Sequence, residues 1–276
     1  MWLNQEMVYT PQEMIVVAGS RTLEDKKVVF VGTGLPMIAT VLARRTHAPG
    51  LIPVFEAGAV GPTLEAGLPF SVGDSRTSSS ASYTKGLNAA FELTQRGFCD
   101  FGFVGGAEID PFGNLNSTMM GKFPEEYQKP RVRLPGSGGA SDMAASCERT
   151  ILIMPHEKRR FNKKLSYITS PGFLDGSPGA RKRAGLLGRG PYRVITTKAV
   201  LDFDEATRRM RLIHTMPGET VESVQEATGF ELLVSPEVSE FDPPTETELR
   251  LIREQIDPLG FFVKKPVKPQ PLPNQF

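Results

Sequence analysis

The chain is predicted to be α/β, an open and mostly parallel sheet with helices on both faces and a small antiparallel C-terminal part. Two features predict this. Over residues 14–154, short apolar runs rich in Val and Ile alternate with segments of helical period, and strands that read as continuous apolar runs belong to parallel sheets covered on both faces. Farther on, strand-like runs flank a polar stretch, the pattern of an antiparallel hairpin.

Taken in order, Met14 to Leu23 carries a helical period, Lys27 to Val31 reads as a buried strand, Leu35 to His47 as a helix and Leu51 to Phe55 as a second buried strand. That is a βαβ unit. Its helix opens on Gly32-Thr33-Gly34 with Pro36 close behind, and proline is well placed in a first helical turn because its missing N–H has no intrahelical partner there anyway. Thr84 to Arg96 predicts a helix, Phe101 to Val104 a strand, Gly139 to Cys147 a helix and Thr150 to Met154 a strand. Tyr192 to Thr197 and Met210 to His214 predict strands of a hairpin with the polar Asp202 to Arg209 between them. Thr245-Glu246-Thr247-Glu248 has capping-box spacing before Leu249 to Ile256, which sets a helix start. Lys264 to Phe276, with four prolines and no apolar period, predicts a loose tail or an arm on a partner. No repeat or linker divides the chain, so one domain over 1–262 and a Pro-rich tail over 263–276 are expected.

The composition excludes several classes of function. A formal net charge of +1 supplies no long-range field to gather nucleic acid or an anionic membrane. Cys99 and Cys147 are the only cysteines, too few for a disulfide framework or a four-thiolate zinc site, so a reducing compartment is expected. Met1 to Thr10 lacks the order of a signal peptide, and no apolar run approaches the ~20 residues that a bilayer requires. A cytoplasmic location follows as the expectation.

The stretch with the most chemistry is Val54-Phe55-Glu56-Ala57-Gly58-Ala59-Val60-Gly61-Pro62. A buried strand delivers one carboxylate, Glu56, into a loop of residues with small side chains or none, where backbone can approach a ligand closely. The plainer alternative is a structural carboxylate satisfied by nearby amides. Gly32-Thr33-Gly34 after a strand, with Glu56 about 20 residues on, also invites a dinucleotide fingerprint. Against that, Met37 stands where the third glycine belongs, and Pro36 removes an N–H from the helix start that would face the pyrophosphate.

His156-Glu157-Lys158-Arg159-Arg160 begins like a zinc-protease helix, but Arg160 holds the place of the second histidine. The three histidines make a histidine-rich metal site hard to assemble, and no metal is expected. The basic run Lys158 to Lys164 reads as a solvated face, or else as a surface for phosphates or acids. Pro135-Gly136-Ser137-Gly138-Gly139-Ala140 precedes a helix and is suited to a concave anion or oxyanion site. Ser137 has no evident base or orienting acid for a triad.

Together these segments resemble the β subunit of class I coenzyme A transferases of the glutaconate CoA-transferase type. The resemblance rests on Gly32 to Pro36, the Glu56 loop, Ser71 to Asp74, Val104 to Thr118, Gly136 to Ala140, His156 to Phe161, Thr169 to Gly172 and Ile252 to Pro258, and spans roughly residues 4 to 262. It implies that Glu56 is the nucleophile and that Gly136, Gly138 and Gly139 help to hold CoA, with the Gly138 and Gly139 amides facing an oxyanion. It further implies that no cofactor is permanently bound, CoA and acyl-CoA being substrates, and that a homologous α subunit completes a hetero-oligomer acting on short-chain or dicarboxylic acids. Relatives that are decarboxylases or ring-opening hydrolases can lack the glutamate, so its presence favours transfer over those alternatives. One departure is that alanine, Ala57, follows Glu56, where the glutaconate enzymes have serine, which leaves the acid open. A CoA-thioester hydrolase or decarboxylase on the same scaffold, with Glu56 a base or only structural, is a second reading, and a non-enzymatic or regulatory nucleotide-binding subunit, supported only by the Gly32 turn, is a third.

Overall fold

The computed structural model describes residues 8–65 and 67–264. Its elements run α1 (Pro11–Arg21), β1 (Val28–Val31), α2 (Leu35–Arg45), β2 (Ile52–Phe55), β3 (Ala59–Val60), β4 (Tyr83–Thr84), α3 (Leu87–Gln95) and β5 (Phe101–Val104). Four two-residue strands follow: β6 (Glu108–Ile109), β7 (Leu115–Asn116), β8 (Met119–Met120) and β9 (Val132–Arg133). Then come α4 (Ala140–Ser146), β10 (Arg149–Met154), α5 (Ala180–Arg183), β11 (Pro191–Thr196), β12 (Ala199–Phe203), β13 (Met210–Thr215), α6 (Val221–Glu226), β14 (Leu233–Glu240) and α7 (Glu246–Arg250).

Ten strands form one sheet in the order β14-β13-β12-β11-β10-β5-β1-β2-β3-β4. Its middle is parallel, β11-β10-β5-β1-β2, with β1 and β2 paired from Val28↔Ile52 to Val31↔Phe55. These are the apolar runs of the sequence. Phe30, Val54, Phe55, Phe101 and Ile151 are each at most 1 % exposed, and burying side chains of this size stabilises the fold by ~1.5–3 kcal/mol apiece. On one face α1, α2 and the C-terminal helical segment contribute to a core with Val16, Ile38, Leu42 and Ile252. On the other, α3, α4 and α6 contribute Ala90, Met143 and Val224 to a second.

The helix ends follow their caps. Thr245 N–H donates to Glu248 Oε2 at 2.7 Å and Glu248 N–H to Thr245 Oγ1 at 3.2 Å, so the capping box starts α7 as expected. Beyond Arg250 the helix widens into π-type turns over Leu251–Ile256. Arg21 to Glu248 at 2.8 Å and Arg253 to the fully buried Glu13 at 2.6 Å fasten this segment to α1.

Three expectations need correction. The strands around Tyr192 and Met210 do not pair with each other: β12 lies between β11 and β13 and is antiparallel to both. Its apolar half, Ala199 to Leu201, follows β11 after only Thr197 and Lys198, and the true turn is Asp204 to Arg209. The helix expected from Thr84 starts at Leu87, because Thr84 belongs to β4 and Gly86 is extended. The edge strand β14 has no counterpart among the expected elements; it carries Pro236 and is mostly exposed, so it has no apolar run to betray it. Of the expected tail only Val263 and Lys264 lie among the described residues, and Val263 is buried in the first core. No helix among the described residues is long and apolar enough to cross a membrane.

This topology positions a site. After β1 the chain places β2 on one side and later β5 on the other, so the strand order reverses at β1. Ligands of open α/β sheets bind at the carboxyl ends of the strands flanking such a reversal. Those ends carry Gly32, Glu56 and Gly105.

Candidate functional site

Glu56 follows the last residue of β2. Pro53, Val54 and Phe55 are buried beneath it, and the chain then turns at once: Gly58 N–H donates to Phe55 O at 2.8 Å, and β3 returns antiparallel with Val60 opposite Val54. The carboxylate therefore sits at the first central position of a tight hairpin turn, half-buried, and makes no hydrogen bond or ion pair among the described residues. No amide among the described residues holds it, as the plainer reading of Glu56 as a structural acid would require.

Gly58 fixes that turn. Its φ is +104°, and a Cβ there would lie 1.7 Å from Lys85 O and 2.7 Å from Gly86 O, in the segment leading into α3. Lys85 N–H donates to Gly58 O at 3.0 Å, so the two segments are laced together by backbone. Gly58→Ala combines overpacking with left-handed strain and is expected to cost ~3 kcal/mol of stability. Urea unfolding checks this; a loss under ~1 kcal/mol would mean that the hairpin relaxes around the methyl group.

The glycine loop lies across from the hairpin. Gly136 has φ +97° and Gly138 φ +48°, both left-handed. Gly136 N–H donates to Ser117 O at 2.8 Å, and Ser117 Oγ donates back to Gly136 O at 2.8 Å. The N–H groups of Gly138 and Gly139 make no hydrogen bond among the described residues. A Cβ on Gly139 would lie 2.5 Å from Phe91 Cζ, 2.9 Å from Phe91 Cε1 and 3.1 Å from Glu56 Oε1. The fold thus brings Glu56 and Gly139, 83 positions apart in the chain, against one another. Gly136 is anchored to Ser117 instead, and Gly138 faces open space.

The segment from Gly105 to Thr118 is the bracket that holds this loop. Glu108 is buried and accepts from Asn116 Nδ2 at 2.6 Å and Asn162 Nδ2 at 3.1 Å. Asp110 accepts from Phe112 N–H at 2.9 Å, Asn114 N–H at 3.0 Å and Asn114 Nδ2 at 2.7 Å, and burial nevertheless pushes its carboxyl up to about 6. Ser117 N–H donates to Thr169 Oγ1 at 2.9 Å, and Thr118 and Thr169 share a hydroxyl bond of 2.7 Å. Behind α4, the buried Arg181 guanidinium donates to Ala144 O at 3.0 Å and Gly172 O at 2.7 Å, bracing the helix that the loop opens. Charged side chains here build scaffold, whereas the Glu56 carboxylate and the Gly138 and Gly139 amides make no hydrogen bond among the described residues.

The remaining motifs resolve as structure. His156 is buried in a loop, with its ring nitrogens 3.0 Å from Thr196 Oγ1 and from Thr228 Oγ1 and its ring stacked 4.1 Å from Phe161. Burial first, then the nearby Lys198 charge, pushes it down to about 4, so the imidazole is neutral at pH 7. Among the described residues no group of three or more His, Cys, Asp or Glu is arranged to hold a metal ion. Arg159 and Arg160 both bond Glu157. Met37 is fully buried under α2, filling the space that a dinucleotide fingerprint reserves for glycine. Cys99 and Cys147 are free and buried, and the Cys147 thiol is pushed up by its hydrogen bond with Cys99 and by burial. Two residues that local sequence patterns do not single out belong to the site: Ser117, which lies inside the Val104 to Thr118 segment, and Phe91, for which a helical aromatic gives no local signal.

The chain as a whole is similar to known proteins. The family model described as Coenzyme A transferase matches residues 12–227. The chain is 41% identical to the B subunit of glutaconate CoA-transferase of Acidaminococcus fermentans over 94% of its own length and 97% of that protein. It is 38% identical to the B subunit of 3-oxoadipate CoA-transferase of Pseudomonas knackmussii over 89% of its length and 92% of that protein. The crystal structure of glutaconate coenzyme A-transferase from A. fermentans superposes with a TM-score of 0.86 at 40% identity, covering 94% of this chain and 98% of that one.

Proposed function

Because the chain belongs to the coenzyme A transferase family, we propose that it is the nucleophile-bearing subunit of a heteromeric CoA-transferase, moving CoA between an acyl-CoA and a free short-chain or dicarboxylic acid through a glutamyl-CoA thioester on Glu56. The observation that carries this reading is the Glu56 carboxylate at the carboxyl end of β2, unpaired among the described residues and facing the backbone of Gly139.

A carboxylate is a weak nucleophile in water, and an oriented, partly desolvated one is a better one. Glu56 attacks the acyl-CoA carbonyl, giving a mixed anhydride and CoA thiolate. The thiolate then attacks the glutamyl carbonyl, releasing the acid and leaving CoA on Glu56. An incoming acid reverses both steps, so CoA is exchanged by ping-pong without ATP. Each step passes through an oxyanion, for which the free Gly138 and Gly139 amides are suited; one such donor is typically worth ~2.7–4 kcal/mol. CoA and acyl-CoA enter as substrates, and the cycle draws on no bound cofactor or metal.

The partner in this reading is a homologous α subunit, and support comes from relatives that are themselves named as B subunits of CoA-transferases. The complex should accordingly be the active species, with turnover appearing on mixing and following complex concentration. The test is to co-purify the chain with its partner, add acyl-CoA and then borohydride, and find the reduced alcohol at Glu56 by peptide mass. Adduct at another carboxylate, no adduct in an active preparation, or full turnover by the chain alone would overturn the proposal.

A further inference from the structure

Phe91 lies on α3, between the buried Ala90 and Thr94, and stacks on Phe30 of β1 with ring centroids 5.4 Å apart and planes inclined by 29°. Phe30 is 1 % exposed. The ring is thus anchored to the central strand of the sheet, not to a mobile surface. Its Cζ and Cε1 edge and Glu56 Oε1 all come within about 3 Å of the same point beside the Gly139 Cα, so ring edge and carboxylate flank a gap too narrow for one methyl group. An aromatic edge carries the positive end of the ring quadrupole. It can border an anion without offering water a hydrogen-bond partner.

From this shared approach to Gly139 we propose that Phe91 is a positioning residue that shields Glu56 from water, and that it thereby makes the chain a transferase rather than a thioesterase. The inference rests on the reading of Glu56 as the CoA carrier. A glutamyl thioester waits, by the nature of ping-pong exchange, for a second substrate to arrive. During that wait it is open to hydrolysis: a water oxygen bonds the γ-carbonyl carbon, the C–S bond breaks with its electron pair going to sulfur, one proton ends on the CoA thiol and the other leaves the regenerated Glu56 for solvent. Water admitted beside the carbonyl competes with the incoming acid. A ring fixed on Phe30 denies it that position, whereas smaller side chains leave room for it.

The test uses the complex of full-length chain and partner, with Phe91→Leu, Phe91→Val and Phe91→Ala as a graded series. Free CoA thiol released from acyl-CoA without acceptor acid measures hydrolysis; acyl transfer with acceptor measures exchange. The hydrolysis-to-transfer ratio is expected to rise with each truncation, by about tenfold or more at Phe91→Ala, while borohydride still traps CoA on Glu56 and Phe91→Leu stays nearest the wild type. A merely structural role would lower both rates together and leave the ratio flat. A flat ratio across the members of the series that assemble overturns the inference, even if Phe91→Ala itself does not fold. If the wild-type complex forms no Glu56 adduct, the proposed function fails first and this inference falls with it.

Discussion

Glu56→Ala is expected to abolish CoA transfer by the assembled complex while leaving the fold and subunit association intact. The two halves of that expectation have separate grounds. Activity is lost because the carboxylate is the proposed carrier, and the buried Glu108 and Asp110 are committed to Asn116, Asn162 and Asn114. Stability is kept because Glu56 is half-buried and makes no hydrogen bond or ion pair among the described residues, and such substitutions usually change stability by under ~0.5 kcal/mol. Glu56→Gln should be equally inactive, since it keeps the size and loses the nucleophile. Glu56→Asp should be nearly as damaging, because one lost methylene draws the oxygen back by about an ångström from a position that Gly139 and Phe91 define, and such misplacement costs ~10²-fold. Transfer rates, adduct mass and melting temperature measured on the same preparations check all three. Retained transfer in Glu56→Ala, or a collapse of the fold, would contradict the reading.

The reasons why parts of this molecule are legible in sequence are physical. The parallel centre is legible because each strand is buried on both faces, so its residues have no choice but to be apolar; β1, β2, β5 and β10 all lie where the apolar runs place them. The strands β3 and β4 are two residues long and β14 is an exposed edge, so no such constraint marks them. In β12 the strand pattern passes into polar Asp202, and its bulge between Val200 and Leu201 breaks the alternation that would have shown it. Local logic finds Glu56, because a strand end followed by glycine is a local pattern. It does not find Phe91, since the contact that matters joins α3, the β2–β3 turn and the loop before α4, and nothing in the spacing of a helical phenylalanine announces it. Likewise the Ser117 clamp on Gly136 is a long-range event in which a turn carried by buried carboxylates grips a glycine loop.

The same contact separates the two glycines that the sequence treats alike. Gly138→Ala places its methyl group in open space and asks for a left-handed φ of +48°, a strain of ~1–2 kcal/mol that falls on the loop and not on the nucleophile. In Gly139→Ala the backbone is unstrained, but the methyl group meets Phe91 Cζ at 2.5 Å and Glu56 Oε1 at 3.1 Å. The stacked ring has Phe30 behind it, so the carboxylate is the group with freedom to move. Gly139→Ala is therefore expected to displace the proposed nucleophile and to crowd the place where the acyl oxyanion forms, lowering kcat by about 100-fold or more. KM should change much less, because the interaction lost belongs to the transition state and not to docking of the CoA chain. Gly138→Ala should stay within about tenfold of wild type. Steady-state kinetics with the rate of Glu56 adduct formation distinguishes the cases: an adduct that forms slowly at saturating acyl-CoA in Gly139→Ala supports the placement, whereas unchanged turnover at saturation with a raised KM would reduce the loop to a CoA-docking turn and move the oxyanion donors to the partner subunit.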